Sequence, residues 1–152
     1  MDDHAEVFQC LADPTRLRLL NVLMRTGEVC VCELVHALRL PQYGVSRHLQ
    51  KLVGAGLLQG RRQGKWIYYR INGKLEPYQR ALLRAVAQLG AERKDFCEDL
   101  ERASRRLKLR RDGVCCVGLA APVGRQPRTL KRGQPGADSK IMQSKLGSKK
   151  LR

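Results

Sequence analysis

Residues 42–71 have the sequence QYGVSRHLQKLVGAGLLQGRRQGKWIYYRI, which contains two patterns that together predict a fold. Its first half places Val45, Leu49 and Leu52 at helical spacing, which predicts one buried helix face and leaves polar side chains on the other. Its second half has two short apolar segments around the polar residues 60–65, which predicts a β-hairpin with a basic tip. The stretch therefore predicts an amphipathic helix followed by a projecting hairpin, or wing.

Two further helices are predicted before this stretch. Asp13 and Pro14 favour a helix start, because aspartate accepts hydrogen bonds from the free amides of a first turn and proline fits the first helical position. After a break at Gly27, apolar residues recur at helical spacing from Val31 to Leu38. Together with the helix of the quoted stretch, this second helix makes a helix-turn-helix candidate.

The second strand of the hairpin is predicted to have two different faces. Its side chains alternate between two sets, one of Ile67, Tyr69 and Ile71 and one of Trp66, Tyr68 and Arg70. Because successive side chains of a strand point to opposite faces, we expect one set to pack on the helices and the other to stay open.

A single long helix is predicted from Pro77 to the Asp112-Gly113 pair, over about eight turns. Its apolar residues keep near-heptad spacing, which is typical of helices that pair with another helix. A stripe of this length favours a partner copy of the chain, and the alternative is a helix that folds back on its own domain. The candidate dimer residues are Leu82, Val86, Leu89, Phe96 and Leu100.

The chain is strongly basic, with 30 Lys and Arg against 14 Asp and Glu and a formal net charge of +16. Half of this excess lies in residues 122–152, so the remainder of the chain is basic as well. A basic surface attracts polyanions such as nucleic acid. We expect residues 1–112 to form a DNA-binding and dimerisation domain, 113–121 a cysteine-containing segment and 122–152 a disordered basic tail.

Composition also bears on the location of the protein. No apolar run approaches the roughly 18 residues of a membrane-spanning helix, so no membrane association is expected. The acidic start Met1-Asp2-Asp3-His4 lacks the basic and apolar regions of a secretory signal. We therefore expect a cytoplasmic protein whose six cysteines are reactive or metal-binding thiols rather than disulfides.

The quoted stretch supplies the candidate DNA-binding residues. The major groove admits one helix, whose glutamine and arginine side chains make paired hydrogen bonds to base edges. Basic residues of the wing would contact phosphates. The candidates are Gln42, Tyr43, Ser46, Arg47, His48 and Gln50 on the helix, and Arg61, Arg62 and Lys65 on the wing.

Four motifs make the sequence recognisable: ADPTRL at 12–17, EVCVCEL at 28–34, VSRHL at 45–49 and QGKWIYYR at 63–70. Together they resemble the ArsR/SmtB family of metal-responsive repressors. The resemblance implies a mainly α fold with a β-hairpin, a winged helix-turn-helix that dimerises through its first and last helices. It also implies a function, that of a homodimer, not an enzyme, which binds double-stranded operator DNA and dissociates when a metal or metalloid binds.

The Cys30-Val31-Cys32 motif resembles the arsenic-sensing branch of that family, whose pattern continues with a cysteine three residues later, where this chain has Val35. Soft thiolates select thiophilic ions. The resemblance therefore implies an inducer of trivalent arsenic or antimony, as arsenite, antimonite or methylarsenite, bound by Cys30 and Cys32. Because residues two apart do not share a helix face, this chelate requires the helix to begin late or to distort.

Further thiol ligands are left open, and the candidates, additional or alternative, are Cys97, Cys115, Cys116 and Cys10. A helix cysteine followed by a vicinal pair resembles methylarsenite-responsive members of the family, which implies a second site of Cys97 with Cys115 and Cys116. Arsenite offers three positions to thiolates and a methylated arsenite two, and the sequence does not decide between them. The zinc-sensing members have an Asp-x-His pair where this chain has Asp95-Phe96-Cys97, so a zinc site of that type is not expected.

Three alternatives remain at this point. The same fold would respond to cadmium or lead if Cys10 joined Cys30 and Cys32. A redox-responsive repressor would form disulfides from the same thiols. The least favoured alternative, a thiol-dependent reductase, leaves the polar helix and the wing unexplained.

Overall fold

The structure, a computed structural model, describes residues 3–119. Within that range lie six helices and three strands, in the order α1 (Asp3–Leu11), α2 (Pro14–Thr26), β1 (Val29–Cys30), α3 (Val31–Leu38), α4 (Gln42–Gly54), β2 (Leu58–Gln63), β3 (Trp66–Ile71), α5 (Pro77–Glu92) and α6 (Lys94–Leu107). The predicted mainly helical fold with a β-hairpin is confirmed. The predicted basic tail, residues 122–152, lies outside the described residues, and along residues 3–119 no helix has the length and apolar character to cross a membrane.

The start of α2 is the predicted one. The Asp13 carboxylate accepts a hydrogen bond of 3.0 Å from the backbone N–H of Arg16, and Pro14 is the first helical residue. Gly27 follows the helix with a φ of 81°, a conformation that glycine adopts without a steric penalty. Capping and chain reversal thus follow from local sequence alone.

The helix-turn-helix consists of α3 and α4, which pack against each other. Val45, Leu49 and Leu52 on α4 are fully buried, as predicted, in the main hydrophobic core. Burial of one such side chain stabilises the fold by about 1.5–3 kcal/mol. The opposite face of α4 is left toward solvent.

The hairpin differs from the prediction in three respects. The polar tip is only the two residues Gly64 and Lys65, because β2 continues through Arg61 and Arg62 in register with β3. The short strand β1, too short to produce a periodic pattern, adds a third strand beside β3. The second face of β3 is not open either, because Tyr68 is buried.

The predicted single long helix is wrong. The helix breaks at Arg93, whose backbone is extended (φ −93°, ψ 127°), and α6 packs against α2 and α3 of its own domain. The physical reason lies in α6, where Asp99 is fully buried and binds Arg18 of α2 and Arg102 of α6. A near-heptad apolar stripe does not distinguish a partner chain from the chain's own core, and for α6 the structure agrees with the alternative of a helix folded back on its own domain.

Candidate thiolate site and nucleic-acid interface

The first two thiols lie where a strand becomes a helix. Cys30 ends β1 and caps α3 with an extended backbone (φ −75°, ψ 150°), so the helix begins only at Val31. This late start brings the Sγ atoms of Cys30 and Cys32 to 3.1 Å from each other, although residues two apart do not share a helix face. Both side chains are buried. The geometry that the sequence requires of a chelate by this pair is present.

A third thiol joins them from beyond α6. Cys115 lies 3.1 Å from Cys32, measured between Sγ atoms, although 83 residues separate the two in sequence. The Sγ atoms of Cys30, Cys32 and Cys115 all lie within 4.8 Å of one another, and the three residues are buried. We call this group the thiol cluster. Within residues 3–119 it is the one group of three metal-binding side chains with such spacing.

Hydrogen bonds made by the main chain at and around Cys115 hold it in the cluster. Its backbone N–H donates a 2.9 Å hydrogen bond to the phenolic oxygen of Tyr68, which is buried among the three cysteines. Before it, Arg111 and Val114 close a turn with two backbone hydrogen bonds. After it, the carbonyl of Gly118 accepts a hydrogen bond from the side chain of Arg106 on α6. The segment after α6 is thereby folded back toward β3.

A buried ion pair adjoins the thiol cluster. The carboxylate of Glu33, 1 % exposed, accepts the backbone N–H of Cys30 at 2.8 Å. The guanidinium of Arg110 donates to both oxygens of the same carboxylate, at 2.7 and 2.6 Å, and to the carbonyl of Glu28 at 2.9 Å. A bidentate pair of this kind is stronger and more directional than a single hydrogen bond. It connects the beginning of α3 to the segment that carries Cys115.

The pKa values of Cys30 and Cys32 are shifted in opposite directions. The Cys32 thiol donates to the sulfur of Cys30, and this bond, helped by the backbone N–H of Cys32, lowers the pKa of Cys30 to about 6. The same bond, together with burial, raises the pKa of Cys32. The hydrogen bond between the two sulfur atoms therefore favours the thiolate at Cys30 and the thiol at Cys32. The thiolate is the form of cysteine that binds metals.

The other three candidate thiols lie apart from the thiol cluster. Cys10 is buried in α1 within the main hydrophobic core, and burial raises its pKa. Cys97 is exposed on α6, and its Sγ lies 3.8 Å from the carbonyl of Gly90. Cys116 is exposed beside Cys115, and its Sγ lies 3.1 Å from the carbonyl of Leu109. Within residues 3–119, the structure does not bring Cys97 together with the vicinal pair.

The predicted DNA-facing residues of α4 divide into two groups. Gln42, Tyr43, Arg47 and Gln50 are exposed, Tyr43 by 74 %, and the guanidinium of Arg47 lies over the Tyr43 ring at 5.5 Å. Ser46 and His48 are half-buried. The Nδ1 atom of His48 faces α2, 3.3 Å from the guanidinium of Arg16 and 3.8 Å from the carboxylate of Asp13. Its polar edge is thus engaged within the domain.

The wing arginines differ in their partners. Arg62 and Lys65 are exposed, the first with a hydrogen bond to the Gly64 carbonyl and the second over the Trp66 ring. Arg61 is exposed as well, but it donates to both oxygens of Glu28 and lies 4.8 Å above the ring of Tyr68. One candidate phosphate contact therefore reaches the surroundings of the thiol cluster.

Comparisons with known proteins identify the family. A profile of the family described as "Bacterial regulatory protein, arsR family" matches residues 13–59, which span α2 through α4. The arsenic resistance transcriptional regulator ArsR2 of Pseudomonas putida is 38% identical over 113 residues, which cover 73% of this chain and 96% of that relative. The chain belongs to the ArsR family.

Other comparisons agree with membership in the ArsR family. The arsenic resistance transcriptional regulator ArsR1 of P. putida is 48% identical over 86 residues, 57% of this chain and 67% of that relative. A possible transcriptional regulatory protein from Mycobacterium bovis, solved as a fragment of residues 1–100, is 33% identical with a TM-score of 0.50, covering 60% of this chain and 94% of that one. ArsR proteins are transcriptional regulators and not enzymes, which excludes the reductase alternative.

Four residues around the thiol cluster are functional candidates that the sequence analysis did not predict: Glu28, Glu33, Tyr68 and Arg110. Glu33 had a signal, because Cys30 and Glu33 have the three-residue spacing of a capping box. Arg110 lies in a basic run where nothing in the sequence distinguishes it from its neighbours. It lies, like Cys115, beyond the matched ArsR-family region.

Proposed function

We propose that this ArsR-family chain represses transcription from an operator and leaves the DNA when a trivalent metalloid binds the thiol cluster. The observation that carries the proposal is the thiol cluster itself, three buried sulfur atoms within 4.8 Å at the beginning of α3. The names of two relatives, both arsenic resistance transcriptional regulators, support the same conclusion. Thiolates are the ligands that soft ions select.

The number of thiols favours inorganic arsenite or antimonite over a methylated arsenical. Arsenous acid has three hydroxyl groups, so Cys30, Cys32 and Cys115 would replace all three and form three arsenic–sulfur bonds. Counted from three thiols, the exchange moves each thiol proton to a departing hydroxyl group and releases three water molecules. A methylated arsenite has one position blocked by carbon and would leave one sulfur without a bond.

Binding at the beginning of α3 would reach the DNA through the helix-turn-helix. α3 contacts α4, whose exposed residues Gln42, Tyr43, Arg47 and Gln50 would face the major groove. Ser46 and His48 would contribute at the edge of that surface, and the basic residues of the wing would contact phosphates. A coupling free energy of about 1–3 kcal/mol would weaken DNA binding roughly 5- to 150-fold.

The same proposal includes a homodimer in a reducing cytoplasm. Because Phe96 is buried in the chain's own domain, a second copy would instead cover α1 and α5, where Phe8 is 56 % and Leu89 39 % exposed. Leu82 and Val86 lie on α5 beside that surface, and Leu100 lies on α6. A two-fold dimer matches operators made of two half-sites. A reducing compartment would keep the cluster thiols free.

The experiment is fluorescence anisotropy of the protein on DNA from upstream of its own gene, under reducing conditions. Arsenite, antimonite, methylarsenite and cadmium are titrated separately into the complex. We expect arsenite and antimonite to release the DNA at the lowest concentrations, and Cys30→Ser to bind DNA normally without release. Cys97→Ser, which removes an exposed thiol outside the thiol cluster, is the matched control and should respond like the wild type.

Two outcomes would contradict the proposal. Release by cadmium at concentrations where arsenite has no effect would favour the divalent-metal alternative, which the three thiols also suit. Tight binding that no ligand disturbs would eliminate the metalloid response.

A redox-responsive repressor is the second candidate, because the Sγ atom of Cys32 lies 3.1 Å from that of Cys30 and from that of Cys115. Release by peroxide together with a disulfide in mass spectrometry would support it.

A further inference from the structure

The third thiol depends on how the segment after α6 is attached. Arg110 lies between the end of α6 at Leu107 and Cys115, and it makes three hydrogen bonds, two to the Glu33 carboxylate and one to the Glu28 carbonyl. Its side chain is four-fifths buried. These contacts attach the segment to the beginning of α3, the element that carries Cys30 and Cys32.

Glu33 is fully committed to this attachment. One carboxylate oxygen accepts a single bond from Arg110, and the other accepts a bond from Arg110 and one from the backbone N–H of Cys30. A carboxylate with these partners does not act as a further ligand of an ion bound by the thiol cluster. Glu33 instead fixes the backbone of the first thiol and the segment of the third with the same group.

We infer that Arg110 and Glu33 are a positioning pair that holds Cys115 at the thiol cluster and thereby sets the preference for inducers with three free positions over those with two. This inference rests on the proposed function, because it concerns the selectivity of that site. The pair touches no inducer. It acts through the placement of the Cys115 sulfur.

The remaining contacts of the segment lie at Cys115 and beyond it, farther along the chain than Arg110. Cys115 itself has one backbone hydrogen bond, to Tyr68, and Arg106 holds the chain only at Gly118. The turn from 111 to 114 is closed within itself and attaches to nothing in the rest of the domain through those bonds. The Arg110 fork is therefore the attachment of the segment on the side of the thiol that faces α6, and its loss would loosen that side while Arg106 still holds Gly118.

The test uses the full chain with Arg110→Gln, Arg110→Lys and Cys115→Ser. Arg111→Gln is the matched control, because it removes the same charge from the neighbouring residue. The Arg111 side chain is exposed, and it is Arg110 that binds Glu33. X-ray absorption on the arsenite-loaded proteins counts arsenic–sulfur bonds. Anisotropy on DNA gives the ratio of methylarsenite to arsenite concentrations needed for half release.

We expect three arsenic–sulfur bonds in the wild type and in Arg111→Gln, and two in Arg110→Gln and Cys115→Ser. Loss of an outer partner of a metal ligand typically costs about 10- to 100-fold in affinity, so Arg110→Gln should need that much more arsenite. Its methylarsenite requirement should change little. Arg110→Lys keeps the charge without the paired hydrogen bonds, so the arsenite concentration that it needs should lie between those of the wild type and Arg110→Gln. DNA affinity without inducer should be the same in all variants.

Three results would overturn the inference. Arg110→Gln with three arsenic–sulfur bonds and the wild-type concentration ratio would mean that the pair does not position the third thiol. If Arg110→Gln fails to fold, wild-type selectivity in Arg110→Lys would have the same meaning. A wild type with no arsenic–sulfur bonds would instead reject the proposed function and, with it, this inference.

Discussion

The two ends of α3 are held in different ways. At its carboxyl end, Arg102 donates to the carbonyl of Ala37 at 2.6 Å and Arg18 to that of Leu38 at 3.0 Å, and both arginines bind the fully buried Asp99. At its amino end, the contacts run through thiols and through a segment that returns from beyond α6. The first end consists of permanent ion pairs. The second combines one ion pair, that of Glu33 with Arg110, with thiols that an inducer would convert.

This difference assigns separate tasks to the two ends. The carboxyl end connects α3 to α4 and so determines whether the DNA-facing helix is held in place. The amino end contains the atoms that can respond to a ligand. Substitutions of the ion pairs at the carboxyl end should therefore cost stability and DNA binding, whereas substitutions of the thiols at the amino end should mainly change the response to the inducer.

The largest expected effect is that of Asp99→Asn. Removing this buried charge leaves Arg18 and Arg102 without their shared partner, and breaking a buried ion pair costs about 3 kcal/mol. We expect the free energy of unfolding, measured by chemical denaturation, to fall by that amount and DNA affinity to fall with it. Glu101→Gln, an exposed charge on the same helix, should leave both unchanged. Normal stability in Asp99→Asn would remove the distinction between the two ends.

A smaller effect is expected from pH at the amino end. The pKa of Cys30 is about 6 in the folded protein against an ordinary value of 9.0, so its contribution to stability is fully present above pH 9 and is lost as the pH falls through 6. Cys32, whose pKa is raised, is protonated in both states below pH 9 and contributes nothing in this window. The free energy of unfolding should rise by about 1 kcal/mol between pH 7 and 8.

The comparison with Cys30→Ser isolates this contribution. His36 and His48, whose pKa values burial lowers, titrate in both proteins and cancel in the difference. The variant should show a flatter dependence of stability on pH. Parallel curves for the two proteins would mean that Cys30 is not a thiolate at neutral pH.

The third expected effect is that of Tyr68→Phe. This change removes the oxygen that accepts the backbone N–H of Cys115 and keeps the buried ring. A lost hydrogen bond of this kind costs about 1 kcal/mol, which would raise the arsenite concentration for half release about fivefold. Tyr78→Phe, on α5 and outside both the thiol cluster and the candidate DNA-binding residues, is the control for the loss of a hydroxyl. If both variants respond like the wild type, the tyrosine does not help to hold the third thiol.

The smallest expected effect is that of Glu28→Gln, which frees Arg61 on the wing. Because the Arg61 side chain is half exposed and that of Glu28 partly exposed, solvent screens the pair, and DNA affinity should rise only severalfold at low salt. Glu101→Gln changes the net charge equally and should give a smaller increase. Equal affinities for the two variants would mean that Glu28 does not restrain Arg61.

How much of this could be predicted from the sequence depends on how local each feature is. The cap at Asp13, the buried face of α4 and the two strands of the hairpin follow from residues close in sequence, and all were predicted. The break at Arg93 was not, because the stabilisation comes from Arg18, far away in sequence. The alternation along β3 placed Tyr68 on the face opposite Tyr69, but its burial was not predicted, because Cys115 covers it from far along the chain.

The candidate site shows the same division. Cys30 and Cys32 form a local motif whose family resemblance implies a chelate, and of the two helix geometries that such a chelate requires, a late start or a distortion, the structure has the late start. Cys115 was among the candidate ligands, but its partners were open, because no pattern in the sequence specifies a contact across 83 residues. The positioning pair combines a local capping signal at Glu33 with a distant arginine, and only the first half of it was accessible.

Two adjacent cysteines differ in their position relative to the thiol cluster, and serine variants of the two separate a three-thiol response from any other. Cys115 is buried in the thiol cluster, whereas Cys116 is exposed outside it. Release of DNA by arsenite, followed by anisotropy, should be the same for Cys116→Ser and the wild type. Cys115→Ser should need about 10-fold more arsenite or more. Equal release curves for the two serine variants would contradict a response built on three thiols.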